Sequence, residues 1–203
     1  MATDMKALIA NLTTFYDLTG KKVIHVGAGG GQLVSYARGV DSVLAVDTDA
    51  DAIEHLRKAV ESEGLDDLFY IVLGDFAEVH ECGDVVFFEF CLHEMNEPDK
   101  MISHGLELAP EVLVIDHDRE SEWAWQACET EKVEKSWSAI ERFNVVRSQN
   151  YRTTHEFETH AQLIDKISCI GEPALERAKR FEGSTGITIP MKYRIALVTG
   201  TRT

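Results

Sequence analysis

The sequence predicts an α/β fold built on a doubly wound parallel sheet, and three observations predict it. Apolar runs with strand character alternate with segments of helical period at least five times before residue 120. The first run, Val23 to Val26, breaks into Gly27-Ala28-Gly29-Gly30-Gly31, a loop in which the backbone itself can approach a ligand because no Cβ intervenes. Later runs end in acids, Asp47 and Asp75, at the strand C-termini where open α/β sheets hold their ligands.

The elements follow in order. Residues 2–18 read as a helix with Leu8, Ile9, Leu12, Phe15 and Tyr16 on one broad face, ending near Gly20. Gln32 to Arg38 reads as the helix opened by the glycine loop, with Leu33, Val34 and Ala37 inward. Ser42 to Asp47 is the second strand, and Ala50 to Glu63 a helix stopped by Gly64. Phe69 to Leu73 is the third strand, and the fourth lies within Gly83 to Met95. Pro98 to Leu108 is a helix and Glu111 to Asp116 the fifth strand. Ser121 to Phe143 is expected to be helical, Phe157 to Ile167 to mark another helix, and Tyr193 to Val198 to form the last strand. The stretch 171–191 has no clear period.

The spacing of the glycines selects among ligands. A dinucleotide fingerprint, G-x-G-x-x-G, would need glycine where Gln32 stands. The pattern present, Gly27-x-Gly29-x-Gly31, resembles the first motif of the class I S-adenosylmethionine (SAM) dependent methyltransferases. SAM carries no phosphate for a helix N-terminus to hold and offers instead a carboxylate, an ammonium and a sulfonium. Asp47, 20 residues after Gly27, can take both ribose hydroxyls, a geometry that suits a carboxylate.

That resemblance covers roughly residues 15–118 and implies a Rossmann-like, mostly parallel seven-stranded sheet with a helical substrate-side insertion over 119–168, all in a single domain, 1–203. It implies SAM as cofactor, bound by Gly27, Ala28, Gly29, Gly31, Asp47 and Thr48, with Asp75 on the adenine amino group, Phe76 against the ring, and Glu89 and Phe90 at the methionine end. The Leu92-His93-Glu94 exit is similar to that of the ubiquinone and menaquinone biosynthesis type. It places His93 at the transfer site, while the Lys-Pro-Gly-Gly turn of that type is replaced by Leu108-Ala-Pro110. His93 and then His117 are the candidate catalytic bases, since both follow strands whose ends face the site. Tyr16, His93 and Trp123 are the candidate substrate contacts. Trp123, Trp125 and Trp137 could line or cover the acceptor pocket, or instead pack the core or form a homodimer contact, and His155 and His160 could come near the pocket through the insertion.

Composition bounds the partners. A net charge of −15 repels phosphate backbones, so a small-molecule acceptor is expected and a nucleic acid is not. No segment has the length of a membrane span and Met1 to Asn11 lacks signal-peptide character, so a cytoplasmic location and no membrane partner are expected. Cys82, Cys91, Cys128 and Cys169 form no C-x-x-C pair, and Glu97 replaces the second histidine of H-E-x-x-H. No metal is therefore expected, although Asp116, His117 and Asp118 together could hold magnesium. The leading function is methyl transfer to a small metabolite; the alternatives are a protein or RNA methyltransferase, or a SAM- or nucleotide-binding module without transfer activity.

Overall fold

The computed structural model describes residues 4–200. In chain order the elements are α1 (Met5–Phe15), β1 (Lys22–Val26), β2 (Ser42–Asp47), α2 (Ala50–Glu63), β3 (Phe69–Leu73), β4 (Val85–Glu89), α3 (Pro98–Leu108) and β5 (Glu111–His117). After them come α4 (Glu122–Gln126), α5 (Thr130–Ile140), β6 (Asn144–Thr159), α6 (His160–Ile167), α7 (Glu172–Ala178) and β7 (Thr185–Thr199). Seven strands form one sheet in the order β3-β2-β1-β4-β5-β7-β6. The first five pair in parallel, and β7 runs antiparallel to both β5 and β6.

Of the parallel strands, β1, β2, β4 and β5 have the apolar composition required of strands covered on both faces, while β3, at the sheet edge, leaves Tyr70, Val72 and Leu73 exposed. In β4, Val85 and Phe87 enter the core on the face carrying α1 and α2, while Val86 and Phe88 enter the core carrying α3 and α5. Helix ends follow local chemistry. Asp49 caps α2 through the amides of Asp51 and Ala52, and Gly64 ends it in the left-handed conformation with φ 65°.

The strand order reverses direction between β1 and β4, and this switch point is where the fold opens a crevice for ligand. The loop after β1 and the turn after β4 face each other there.

The structure corrects four expectations. The segment 32–38 forms a single 3-10 turn, Val34–Ala37, not an α-helix. The helix expected over 121–143 is two helices, broken where Cys128 adopts φ 59°. Residues 144–159, within the span expected to be a helical insertion, form the edge strand β6, so Phe157 belongs to a strand and the next helix starts at His160. The last strand begins at Thr185, not Tyr193. Because β5 ends at His117 opposite Tyr193, residues 185–192 pair with β6 and form a hairpin extension beyond β5. Two of the residues expected in the first helix, 2 and 3, lie outside the described residues.

Candidate active site

Two adjoining cavities occupy the switch point. The larger, about 790 Å³, is lined by Gly27, Gly29, Asp47, Thr48, Asp75 and Phe76 on one side and by Glu94 to Glu97 on another. The smaller, about 250 Å³, is lined by Met5 and Leu8 of α1, by His117, Trp123 and His155, and by Lys166 and Met191. Gly27, Gly29, Glu89 and Phe90 line both, so the two spaces meet across the ends of β1 and β4.

The glycine loop is shaped by sterics. A Cβ on Gly27 would lie 2.4 Å from the Cβ of Cys91, and the residue has φ 68°. Gly27 therefore lets the β1 and β4 exits close on each other. Gly31 serves packing: its φ is 75° and a Cβ there would meet Ala59 of α2 at 2.6 Å. Gly31 and Ala28, both expected on the cofactor, line neither cavity, and Ala28 is fully buried.

Asp47 closes the end of β2 beneath the loop. One carboxylate oxygen accepts the Gly29 amide at 2.9 Å and the other accepts the Asp49 amide at 3.0 Å. Each oxygen keeps a further lone pair for a hydroxyl. Asp75 is held by the Ala77 amide at 2.9 Å, and Phe76 is buried edge-on against Phe88 at 5.3 Å. Glu89, buried at the end of β4, stands 2.9 Å from Nε2 of His25. Burial pushes its carboxyl up from the ordinary range and His25 pulls it back. Phe90 next to it has φ 45°, an uncommon conformation for a bulky residue and one that clusters at functional sites.

Below the smaller cavity lies a histidine pair organised by Asp116. This carboxylate, fully buried at the end of β5, takes Nδ1 of His93 at 2.6 Å and accepts the backbone amides of His93 at 3.1 Å and His117 at 2.8 Å. Trp137 donates its indole N–H to the carbonyl of His117 at 2.6 Å. The remaining nitrogen of His93, Nε2, faces Glu94 at 3.4 Å and Glu129 at 3.7 Å. Burial lowers the basicity of His93, but Asp116, Glu94 and Glu129 outweigh it and hold the ring well above the ordinary histidine range. His117 goes the other way: burial, opposed by Asp116 and aided by His93, pushes it down to about 4. Burial lifts Glu129 to about 7 against the pull of His93.

Two expected roles, those of Tyr16 and His93, meet a different geometry. Tyr16 donates its hydroxyl to Glu111 at the start of β5, the opposite end of the sheet from the cavities, because α1 turns its Met5 and Leu8 toward them. His93 lines neither cavity, its ring being turned to Asp116 and Glu129. Asp116 is committed to His93, and Asp118 to Arg194 at 2.9 Å, which leaves no Asp-His-Asp magnesium group. Of the tryptophans, Trp123 lines the smaller of these two cavities; Trp137 is buried in the core and lines neither, and Trp125 lies exposed under Arg177 and Arg180. His160 bonds the Ala178 carbonyl at 3.1 Å and lines neither cavity. Sequence reasoning missed Glu129, which sits at the break between α4 and α5, and Lys166 of α6, since neither belongs to a motif.

Residues 24–106 match the model of the methyltransferase domain family. A structure from Bacillus halodurans described as a methyltransferase superposes with a TM-score of 0.70 at 15% identity, covering 97% of this chain and 100% of that one. A SAM-dependent methyltransferase from Aquifex aeolicus gives 0.59 at 17% identity, covering 97% and 90%. A structure from Pyrococcus horikoshii described as an RNA methyltransferase gives 0.59 at 17%, covering 98% and 83%. These likenesses show a common fold. No curated protein sequence matches the chain.

Proposed function

We propose that the chain is a class I SAM-dependent methyltransferase, a reading supported by the match of residues 24–106 to the methyltransferase domain family, and that its methyl acceptor is a small, planar, anionic molecule held in the smaller cavity. The observation that carries this is the meeting of two cavities of unequal size across Glu89 and Phe90. The larger has the room and the acids for adenosine: Asp47 for the ribose hydroxyls and Asp75 with Phe76 for adenine. Glu89 supplies a carboxylate to the cofactor ammonium at the junction. The acceptor then lies on the other side of the junction, against the faces of Trp123, Phe90 and His117.

The sulfonium is already an activated electrophile, so the protein contributes alignment and exclusion of water. SAM bound in the larger cavity would supply a methyl group that an acceptor lone pair displaces from sulfur, the electron pair of the broken carbon–sulfur bond remaining on the thioether, and any proton on the attacking atom would pass to solvent. His117, neutral across the physiological range, is a hydrogen-bonding wall that does not repel the incoming cation. Lys166 is exposed at the rim and, among the described residues, makes no hydrogen bond or ion pair, which leaves its ammonium for an acceptor anion. A protein with net charge −15 is poorly suited to a nucleic acid backbone.

The reading is tested by screening small planar carboxylates and phenols for transfer from labelled SAM, with Lys166→Met alongside. Loss of one charge-assisted hydrogen bond should raise KM about 10–100-fold for anionic acceptors and leave kcat within a factor of about three. Equal kinetics for anionic and neutral acceptors in both proteins would overturn it. Among the described residues no helix is long and apolar enough to cross a membrane.

A further inference from the structure

The geometry points to a divalent transition-metal site formed by His93, His117 and Glu129, with zinc the ion its donors suit best. One ligand atom from each of the three residues falls within 4.8 Å of the others. Oε2 of Glu129 is 3.7 Å from Nε2 of His93 and 3.9 Å from Nε2 of His117. A tetrahedral zinc with bonds of about 2.0–2.2 Å sets its ligand atoms about 3.4 Å apart. Small side-chain rotations therefore close the site around an ion.

Three features beyond proximity support it. Ligating histidines almost always give their second nitrogen to a carboxylate, a backbone carbonyl or water, which fixes the tautomer and aims the free nitrogen. His93 has that arrangement: Nδ1 is on Asp116 at 2.6 Å, and Nε2 points at Glu129. The backbone of both histidines is fixed as well, since Asp116 accepts both amides and Trp137 holds the His117 carbonyl. The charge fits a dication. Asp116, Glu94 and Glu129 place three carboxylates around two imidazoles, and among the described residues the only ammonium paired with any of them is Lys132, on Glu94. With both imidazoles neutral, as ligands to a metal must be, two negative charges remain for the ion to neutralise, the ion taking the place of the proton that His93 otherwise holds.

The donor set selects the metal class. Two imidazoles and one carboxylate suit zinc and neighbouring first-row ions, whereas magnesium prefers oxygen and retained water. Three protein ligands leave a fourth position, the mark of a site that takes an exogenous ligand. His117 is both a ligand and a wall of the smaller cavity, so an acceptor oxygen or sulfur bound there would be held beside the ion. This last step rests on the acceptor placement proposed above; the metal site itself does not.

The test is metal content and affinity of the intact chain after chelator treatment, titrated with Zn²⁺, Co²⁺ and Mg²⁺ in turn. S-adenosylhomocysteine binding, measured on the same samples, reports both the fold and the cofactor reading. The proposal expects one Zn²⁺ per chain and a tetrahedral Co²⁺ absorption spectrum. It expects Zn²⁺ affinity to fall at least tenfold in Glu129→Gln and His93→Gln, and about 10–100-fold in Asp116→Asn, whose carboxylate only orients His93. Glu131→Gln, an exposed acid on α5, should bind as the parent does. Stoichiometry well below one, equal affinity for Mg²⁺, or unchanged Zn²⁺ binding in Glu129→Gln with cofactor binding intact would each overturn the site. Loss of S-adenosylhomocysteine binding by the parent protein would count against the cofactor placement and leave the metal result to stand on its own readout.

Discussion

Gly27 and Gly29 look alike in the sequence, yet the structure gives them different work. At Gly27 an added methyl meets both a φ of 68° and the Cβ of Cys91 at 2.4 Å. At Gly29 the φ is 51° and nothing lies closer than the Gly27 carbonyl at 3.7 Å. Gly29→Ala should therefore cost about 1–2 kcal/mol of stability, the left-handed penalty alone. Gly27→Ala adds an overpacking cost of about 1–3 kcal/mol and forces the two strand exits apart. Urea unfolding of both variants checks this, with Gly27→Ala the less stable and the weaker cofactor binder. The difference was not legible in the sequence, because Cys91 is distant in the chain. Asp47 and Asp75 were legible, since a strand end followed by a helix or turn fixes where their side chains emerge. Glu129 was not: it sits at the break between α4 and α5, which depends on Cys128 adopting φ 59°.

At the scale of elements, legibility followed burial. β1, β2, β4 and β5 are apolar because both faces are covered, and apolar runs of strand length stand out. β6 has only two buried positions, His155 and Phe157, and reads as polar loop. That hidden strand matters, because its far end and the facing part of β7 bring His155 and Met191 to the smaller cavity. Trp123 packs its ring 4.2 Å from His155, which joins α4 to the hairpin extension. Burial, with His117 and Lys166 nearby, depresses His155 to about 3. The sign follows from linkage. Between about pH 6.5, the unfolded value, and 3 the unfolded chain binds a proton that the folded chain does not. Stability should thus fall as pH drops through that window, by up to about 1.4 kcal/mol per unit from this residue. Denaturant midpoints from pH 7 to 4 should show a shallower decline in His155→Gln; an unchanged slope would exclude His155 as a source.

The whole molecule arranges its chemistry by topology. The reversal between β1 and β4 opens one crevice, and the chain returns to it at the ends of β2, β3 and β5. The α/β class and the strand-end acids followed from the alternation of elements. The division into two cavities did not, since it depends on how the β6–β7 extension and α1 close one side of that crevice. Separate residues are therefore proposed for cofactor and acceptor, and they can be distinguished experimentally. The direct measurement is calorimetric titration of S-adenosylhomocysteine into the parent protein, Asp47→Asn and Lys166→Met. Because a carboxylate serves two hydroxyls where an amide can accept at one oxygen, Asp47→Asn should weaken binding about 10–100-fold. Lys166→Met, across the junction in the smaller cavity, should bind as the parent does. Equal loss in both variants, or full affinity in Asp47→Asn, would contradict the division of the crevice on which the account rests.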